Sequence, residues 1–159
     1  MKVKPKTLTQ NQQPSKATFI REIQVTYKTT ASKRESLITS EQVAELIRSL
    51  LPDNSREHFI ALYLDGAHQL ACYSIISTGT ANGTQAHPRE IFQRAVVAGA
   101  VALIVAHNHP SGVTTPSDAD ISMTTRLKEC GDLLGIKLLD HLIVTDFEHV
   151  SLREQDLAF

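Results

Sequence analysis

Apolar positions along this chain change period several times, and each change marks an element. Between Thr39 and Leu51, the residues Val43, Ile47, Leu50 and Leu51 recur at helical spacing. Thr39 followed by Gln42 makes a capping box at the start, and Pro52-Asp53-Asn54-Ser55 closes the segment. His58 to Asp65 and Leu70 to Ile76 then read as two strands flanking a turn that begins at Asp65-Gly66. The Gly/Thr/Asn-rich stretch 77–86 reads as a loop long enough to act as a lid. Pro88 suits the first position of a helix carrying Ile91, Phe92, Ala95 and Val96, with Gly99 just past its end. A strand over 101–106, a helix from about 118 to 134 stopped by Gly135, a strand from Ile136 to Thr145 and a shorter one at 149–152 complete the pattern. The order α-β-β-α-β-α-β-β predicts a mixed α/β domain without internal repeats.

Ahead of this domain the patterning is weaker. Residues 1–19 are polar, with Pro5, Pro14 and a Gln/Asn cluster, and read as a disordered basic tail. Residues 20–37 read as an extended arm and linker, with a strand-like alternation from Ile20 to Tyr27. The domain itself is expected over 38–159.

Composition and charge narrow the class. A chain of 159 residues, 42% of them hydrophobic, can bury one real core. No apolar run approaches the roughly 20 residues that span a bilayer, and the lysine-bearing N-terminus lacks an apolar signal region. A cytoplasmic protein without membrane contact is therefore expected. Cys72 and Cys130 have no metal-motif spacing and read as small buried hydrophobes of a reducing compartment. The net charge of -1 hides an asymmetry: residues 1–36 hold eight Lys/Arg against two acids, and the remainder eight against fifteen. The basic N-terminal segment is a candidate for contact with nucleic acid, whereas the acidic body argues against a broad phosphate-binding face.

The chemistry concentrates after the apolar run Val101–Val105, in Ala106-His107-Asn108-His109-Pro110-Ser111-Gly112 and Ser117-Asp118-Ala119-Asp120. In extended backbone, His107 and His109 point to the same side. Asp120 falls in the first turn of the following helix, beside the loop that carries the histidines. Two imidazoles and one carboxylate leave a metal one open position, as in catalytic zinc sites. Ser117-x-x-Asp120 is equally a helix capping box, and Ser117 could cap and still present its hydroxyl to a bound substrate. Such a centre needs a base for its water, and Glu57, Glu90, Asp65 and Asp140 are candidates that spacing alone does not separate. His87 could cap the Pro88 helix or stand at the periphery of the site, and Arg89 could pair with Glu90 or Glu57 or meet an acidic substrate group. Asp140 and His141, adjacent on a strand, should face opposite ways in structural roles. His58, His68 and His149 look like surface or strand-end residues. A zinc deaminase is excluded, because Cys72 and Cys130 cannot supply the Pro-Cys-x-x-Cys ligand pair of that class.

His107-x-His109-Pro110 with Ser117-x-x-Asp120 resembles the JAMM motif of the JAB/MPN metallopeptidase-like superfamily. His87-Pro88-Arg89-Glu90, Pro116-Ser117 and Asp140-His141-Leu142-Ile143-Val144 resemble its RadC-like branch, over about residues 38–159. The resemblance implies an MPN fold, a curved mixed β-sheet flanked by helices, with one zinc per chain at the sheet rim. It implies His107, His109 and Asp120 as zinc ligands, Glu57 as general acid/base, and Ser117 as a donor to the tetrahedral oxyanion. The implied activity is that of a zinc metallopeptidase, in which activated water attacks a peptide or isopeptide carbonyl of a protein or peptide substrate. Full-length RadC-like proteins carry a helix-hairpin-helix region ahead of this domain, and the short leading segment here is expected to lack it. The alternative implied by the family is a scaffold associated with DNA repair or nucleic acid, holding a non-catalytic zinc.

Overall fold

The computed structural model describes Thr26, residues 37–79 and residues 86–159. The basic tail, the extended arm and linker apart from Thr26 and Leu37, and most of the 77–86 loop lie outside these residues, so the expectations placed on them do too.

The three helices have ends that their sequence dictates. Helix α1 (Ser40–Leu50) starts with Thr39 accepting the Gln42 N–H while the Gln42 side chain returns to the Thr39 backbone, both halves of the expected capping box. Strands β1 (His58–Leu64) and β2 (Leu70–Thr78) follow. Helix α2 (Pro88–Ala98) has Pro at its first turn and ends on Gly99 at φ 65°, left-handed backbone that glycine adopts freely. After β3 (Ala102–Asn108), helix α3 (Asp118–Leu134) is capped by Ser117 and stopped by Gly135 at φ 70°. Strands β4 (Lys137–Val144) and β5 (His149–Ser151) close the chain.

The strands form one five-stranded sheet in the order β2-β1-β3-β4-β5. β3 and β4 are parallel, joined across α3, and the other neighbours are antiparallel. Every residue of β1 and β3 is buried, because helices cover both faces. On one face Ile60, Leu62, Leu64, Ala102, Ile104 and Ala106 pack with Val43, Ala44 and Ile47 of α1. On the other, Phe59, Ala61, Tyr63, Leu103 and Val105 pack with Ile91, Phe92 and Ala95 of α2 and Leu127 of α3. The alternation that sets these faces also aims His107 toward the α3 side, since it continues the parity of Leu103 and Val105.

Two expectations are corrected. β3 runs through His107 and Asn108 rather than stopping at Ala106, so the first histidine is in the sheet and not in a loop. Val96 is 60% exposed, because α2 turns only its Ile91/Phe92/Ala95 stripe to the sheet. His58, expected at the surface or at a strand end, is the first residue of β1 and is only 1% exposed, with its Nδ1 2.9 Å from the Thr78 hydroxyl. No helix among the described residues is long and apolar enough to cross a membrane.

Candidate metal centre

At the end of the central strand pair the apolar core gives way to a cluster of donors. His107 is the last inward-facing residue of β3, is 4% exposed, and lies parallel to the Phe59 ring at 6.0 Å between centroids. His109 follows in the loop, its imidazole edge-on to His107 with the centroids 4.8 Å apart. Asp120 stands in the first turn of α3. One ligand atom from each of His107, His109 and Asp120 lies within 4.8 Å of the other two.

Each of these groups is oriented by a second contact. The His109 Nδ1 lies 2.6 Å from the Val113 carbonyl, which only accepts, so that nitrogen carries the proton and Nε2 is bare in the neutral ring. Gly112, at φ 78°, gives its N–H to the His109 carbonyl in the turn that brings Val113 back. Asp120 divides its two oxygens. Oδ2 accepts from the Ser117 N–H at 2.8 Å and from the Ser117 hydroxyl at 2.6 Å, while Oδ1 sits 3.2 Å from His107 Nε2. The capping box therefore presents one carboxylate oxygen to the histidines, and the Ser117 hydroxyl proton is spent on Asp120. Burial pushes the His107 imidazole down to about 4, against the Asp120 carboxylate, with His109 lowering it further and Glu57 favouring its charged form.

The donor set fits a small divalent cation. His107 Nε2 and His109 Nε2 stand 3.0 Å apart, and whenever both nitrogens are bare no hydrogen bond can join them. Ligand atoms at about 2.0–2.1 Å from a tetrahedral zinc are themselves roughly 3.3 Å apart, close to the 3.0 and 3.2 Å that separate His107 Nε2 from His109 Nε2 and Asp120 Oδ1. With three protein donors, a fourth position stays open.

Glu57 is the candidate base whose charge reaches His107. It directly precedes β1, its carbonyl accepts from the Gly79 N–H at 2.8 Å, and its carboxylate acts on His107. The other candidates are taken up elsewhere: Asp65 accepts from the N–H groups of Ala67 and Gln69 in the β1–β2 turn, and Asp140 accepts from the Ser151 hydroxyl at 2.7 Å. Glu90 lies in the first turn of α2. His87 caps α2, its Nδ1 accepting the Arg89 N–H at 3.1 Å, and both residues are exposed there. A cavity of about 290 Å³ is lined by His109 together with Asn54, Gly112 and Phe147.

Three residues that orient this centre were not assigned to it from the sequence. Asn108 is fully buried and ties the end of β3 to the segment bearing Glu57. His141, fully buried on β4, puts Nε2 2.9 Å from His107 Nδ1, and Thr124 on α3 reaches the other side of its ring. The Asn in His107-Asn108-His109 and the polar His141 inside an apolar strand were the available signals, and neither names a partner without the fold.

Comparison with known proteins agrees with the motifs. Residues 37–157 match the family model of the RadC-like JAB domain. A protein of Enterococcus faecalis named only UPF0758 protein is 40% identical over 130 residues, which is 82% of this chain and 56% of the relative. A UPF0758 protein of Staphylococcus haemolyticus is 42% identical over 124 residues, covering 78% of this chain and 54% of the relative. One from a Geobacillus species is 48% identical over 101 residues, 64% of this chain and 45% of the relative. The chain thus spans about half the length of these curated relatives.

Proposed function

Because this chain belongs to the RadC-like JAB domain family, we propose that it is a zinc-dependent hydrolase of peptide or isopeptide bonds. The observation that carries the reading is the convergence of His107 Nε2, His109 Nε2 and Asp120 Oδ1. His107, His109 and Asp120 would hold the ion. Zinc bound there would supply a Lewis acid and lower the pKa of water to about 7.

The chain's own residues account for the rest of the cycle. Glu57 takes a proton from the attacking water and returns it to the leaving amine nitrogen, so that water and amide become acid and amine. Ser117 serves first as the residue that aims Asp120. Rotation of its hydroxyl away from Asp120 Oδ2 would give the oxyanion a donor at the point where charge develops. The buried Phe59 ring keeps the His107 imidazole in one plane. The cavity beside His109 offers room for the substrate chain next to the reacting carbonyl.

The test begins with elemental analysis of protein purified without added zinc, compared with the His107→Ala/His109→Ala double variant. About one zinc per chain, lost in the variant, is expected. Fluorogenic peptides and isopeptide-linked conjugates then serve as substrates, with Glu57→Gln expected to keep zinc and lose turnover. Full activity in Glu57→Gln would remove Glu57 as the base. Bound zinc with no hydrolysis of either substrate class would favour the scaffold reading.

A further inference from the structure

We infer that Thr124 and His141 are positioning residues that join two of the proposed metal ligands, His107 and Asp120, from behind the site and set which nitrogen of His107 faces the ion. The inference rests on the proposed metal centre. It adds a relay through the helix and sheet that hold the ligands.

The proton positions follow from the fixed end of the chain of contacts. The Asp120 carbonyl can only accept, and the Thr124 hydroxyl, one turn further along α3, donates to it at 2.6 Å. A hydroxyl has one proton, so the contact of Thr124 Oγ1 with His141 Nδ1, also 2.6 Å, must run the other way, with His141 Nδ1–H donating. His141 is fully buried between a hydroxyl and another imidazole, with no anion on either ring nitrogen to pair a charge, so the ring is neutral and its Nε2 is bare and accepts. The facing nitrogen, His107 Nδ1 at 2.9 Å, then carries the proton. Its Nε2 is left as a lone pair aimed at His109 Nε2 and Asp120 Oδ1. One carbonyl thus determines the tautomers of two rings, and that carbonyl belongs to a residue whose side chain completes the donor set.

The arrangement spans three elements. Thr124 is on α3, His141 on β4 and His107 on β3, and the register places His141 opposite Val105 and Ile143 opposite His107. His141 is therefore the diagonal same-face neighbour of His107, and Thr124 is the residue of α3 that can reach it. Such outer partners fix ring orientation and raise ligand basicity, and removing one typically costs 10–100-fold in metal affinity.

The test compares zinc affinity and metal-free ring ¹⁵N spectra of wild type, Thr124→Val, His141→Leu and His141→Gln. Thr124→Val keeps the shape and removes the hydroxyl. It is expected to bind zinc roughly 10–100-fold more weakly and to show His107 as a tautomer mixture. His141→Leu should do the same. His141→Gln offers an amide oxygen to His107 and an N–H to Thr124, and is expected to recover most of the affinity. Wild-type affinity in both folded Thr124→Val and folded His141→Leu would overturn the inference. So would a wild-type spectrum with the His107 proton on Nε2, a readout that stands even where a variant fails to fold. Failure of the metal reading is separate: the wild type would then bind zinc no better than His107→Ala/His109→Ala, and the tautomers would still judge the relay.

Discussion

Asn108 and Glu57 are joined through the backbone of Glu57's two neighbours. The Asn108 amide nitrogen donates to the Arg56 carbonyl at 2.9 Å, and its oxygen accepts from the His58 N–H at 2.7 Å. A second bond from the same nitrogen reaches Asn54 Oδ1 at 2.8 Å. Asn108 lies between His107 and His109, so the strand end that supplies the imidazoles also holds the segment that supplies the carboxylate. Replacing Asn108 with Leu leaves the buried His58 N–H and the part-buried Arg56 carbonyl without this partner, the buried group costing on the order of 1–3 kcal/mol. Urea denaturation should show that loss. Asn108→Asp should recover only the His58 half, because a carboxylate oxygen would face the Arg56 carbonyl. A Leu variant as stable as wild type would contradict the clamp.

Ser117 has a structural effect that can be measured apart from any chemistry. Its hydroxyl accepts the Asp120 N–H at 3.2 Å and donates to Asp120 Oδ2 at 2.6 Å. Ser117→Ala removes both and should destabilise the protein by about 1 kcal/mol in the metal-free state, with Ser117→Thr recovering most of it. Activity lost in Ser117→Ala therefore has to be compared with Asp120 geometry before the hydroxyl is assigned to the oxyanion.

Metal binding should couple to folding stability. A ligand that binds only the native state, at 100 times its Kd, stabilises by about 2.7 kcal/mol. Thermal scans with and without zinc should therefore show a higher Tm for wild type in zinc, reversed by a chelator. The His107→Ala/His109→Ala variant should show no such increase. An equal increase in both proteins would place the zinc elsewhere.

Much of this molecule is legible in its sequence, for local reasons. Thr39/Gln42, Pro88, Ser117 and Gly135 mark helix ends through contacts within a few residues, and the structure places caps and stops there. His107, His109 and Asp120 lie close in the chain, and strand parity with one helical turn suffices to bring them together. What was not legible depends on pairing across the sheet. β2 continues to Thr78, past the expected end at Ile76, because β1 starting at His58 pairs with it there. His58 is buried because that pairing covers it, not because of any pattern around it. The partnership of His141 with His107 requires β3 and β4 to be neighbours in a particular register, which no spacing encodes.

Gly131 is another position set by tertiary packing. A Cβ built there would run into the Ile136 carbonyl oxygen, and Phe92 of α2 closes in at 3.5 Å. The same turn is held by the Ile136 N–H donating to the Gly131 carbonyl at 2.9 Å, so the obstacle is backbone and cannot swing aside. Gly131→Ala would gain helix propensity, worth about 1 kcal/mol, yet should be destabilising overall because overpacking typically costs 1–3 kcal/mol. A raised denaturation midpoint would show that the α3–β4 connection shifts freely.

Asp53 ties acid stability to the segment that bears Glu57. Its carboxylate accepts from the Ser55 hydroxyl at 2.6 Å and the Ser55 N–H at 2.9 Å, with Arg56 at 3.3 Å. The hydroxyl bond first, then the backbone bond, with a lesser contribution from Arg56, hold its pKa well below the ordinary 3.8 against the opposing effect of desolvation. A carboxyl whose folded pKa is depressed contributes stability that is present above its unfolded value and is lost as pH falls toward the folded one. Asp53→Asn keeps an acceptor for Ser55 and removes the charge. It should lower Tm at neutral pH, and the gap to wild type should narrow once the pH drops below about 4. Scans at stepped pH check this directly. A gap that stays constant into acid would mean that the charge contributes nothing and that Asp53 acts through its shape alone.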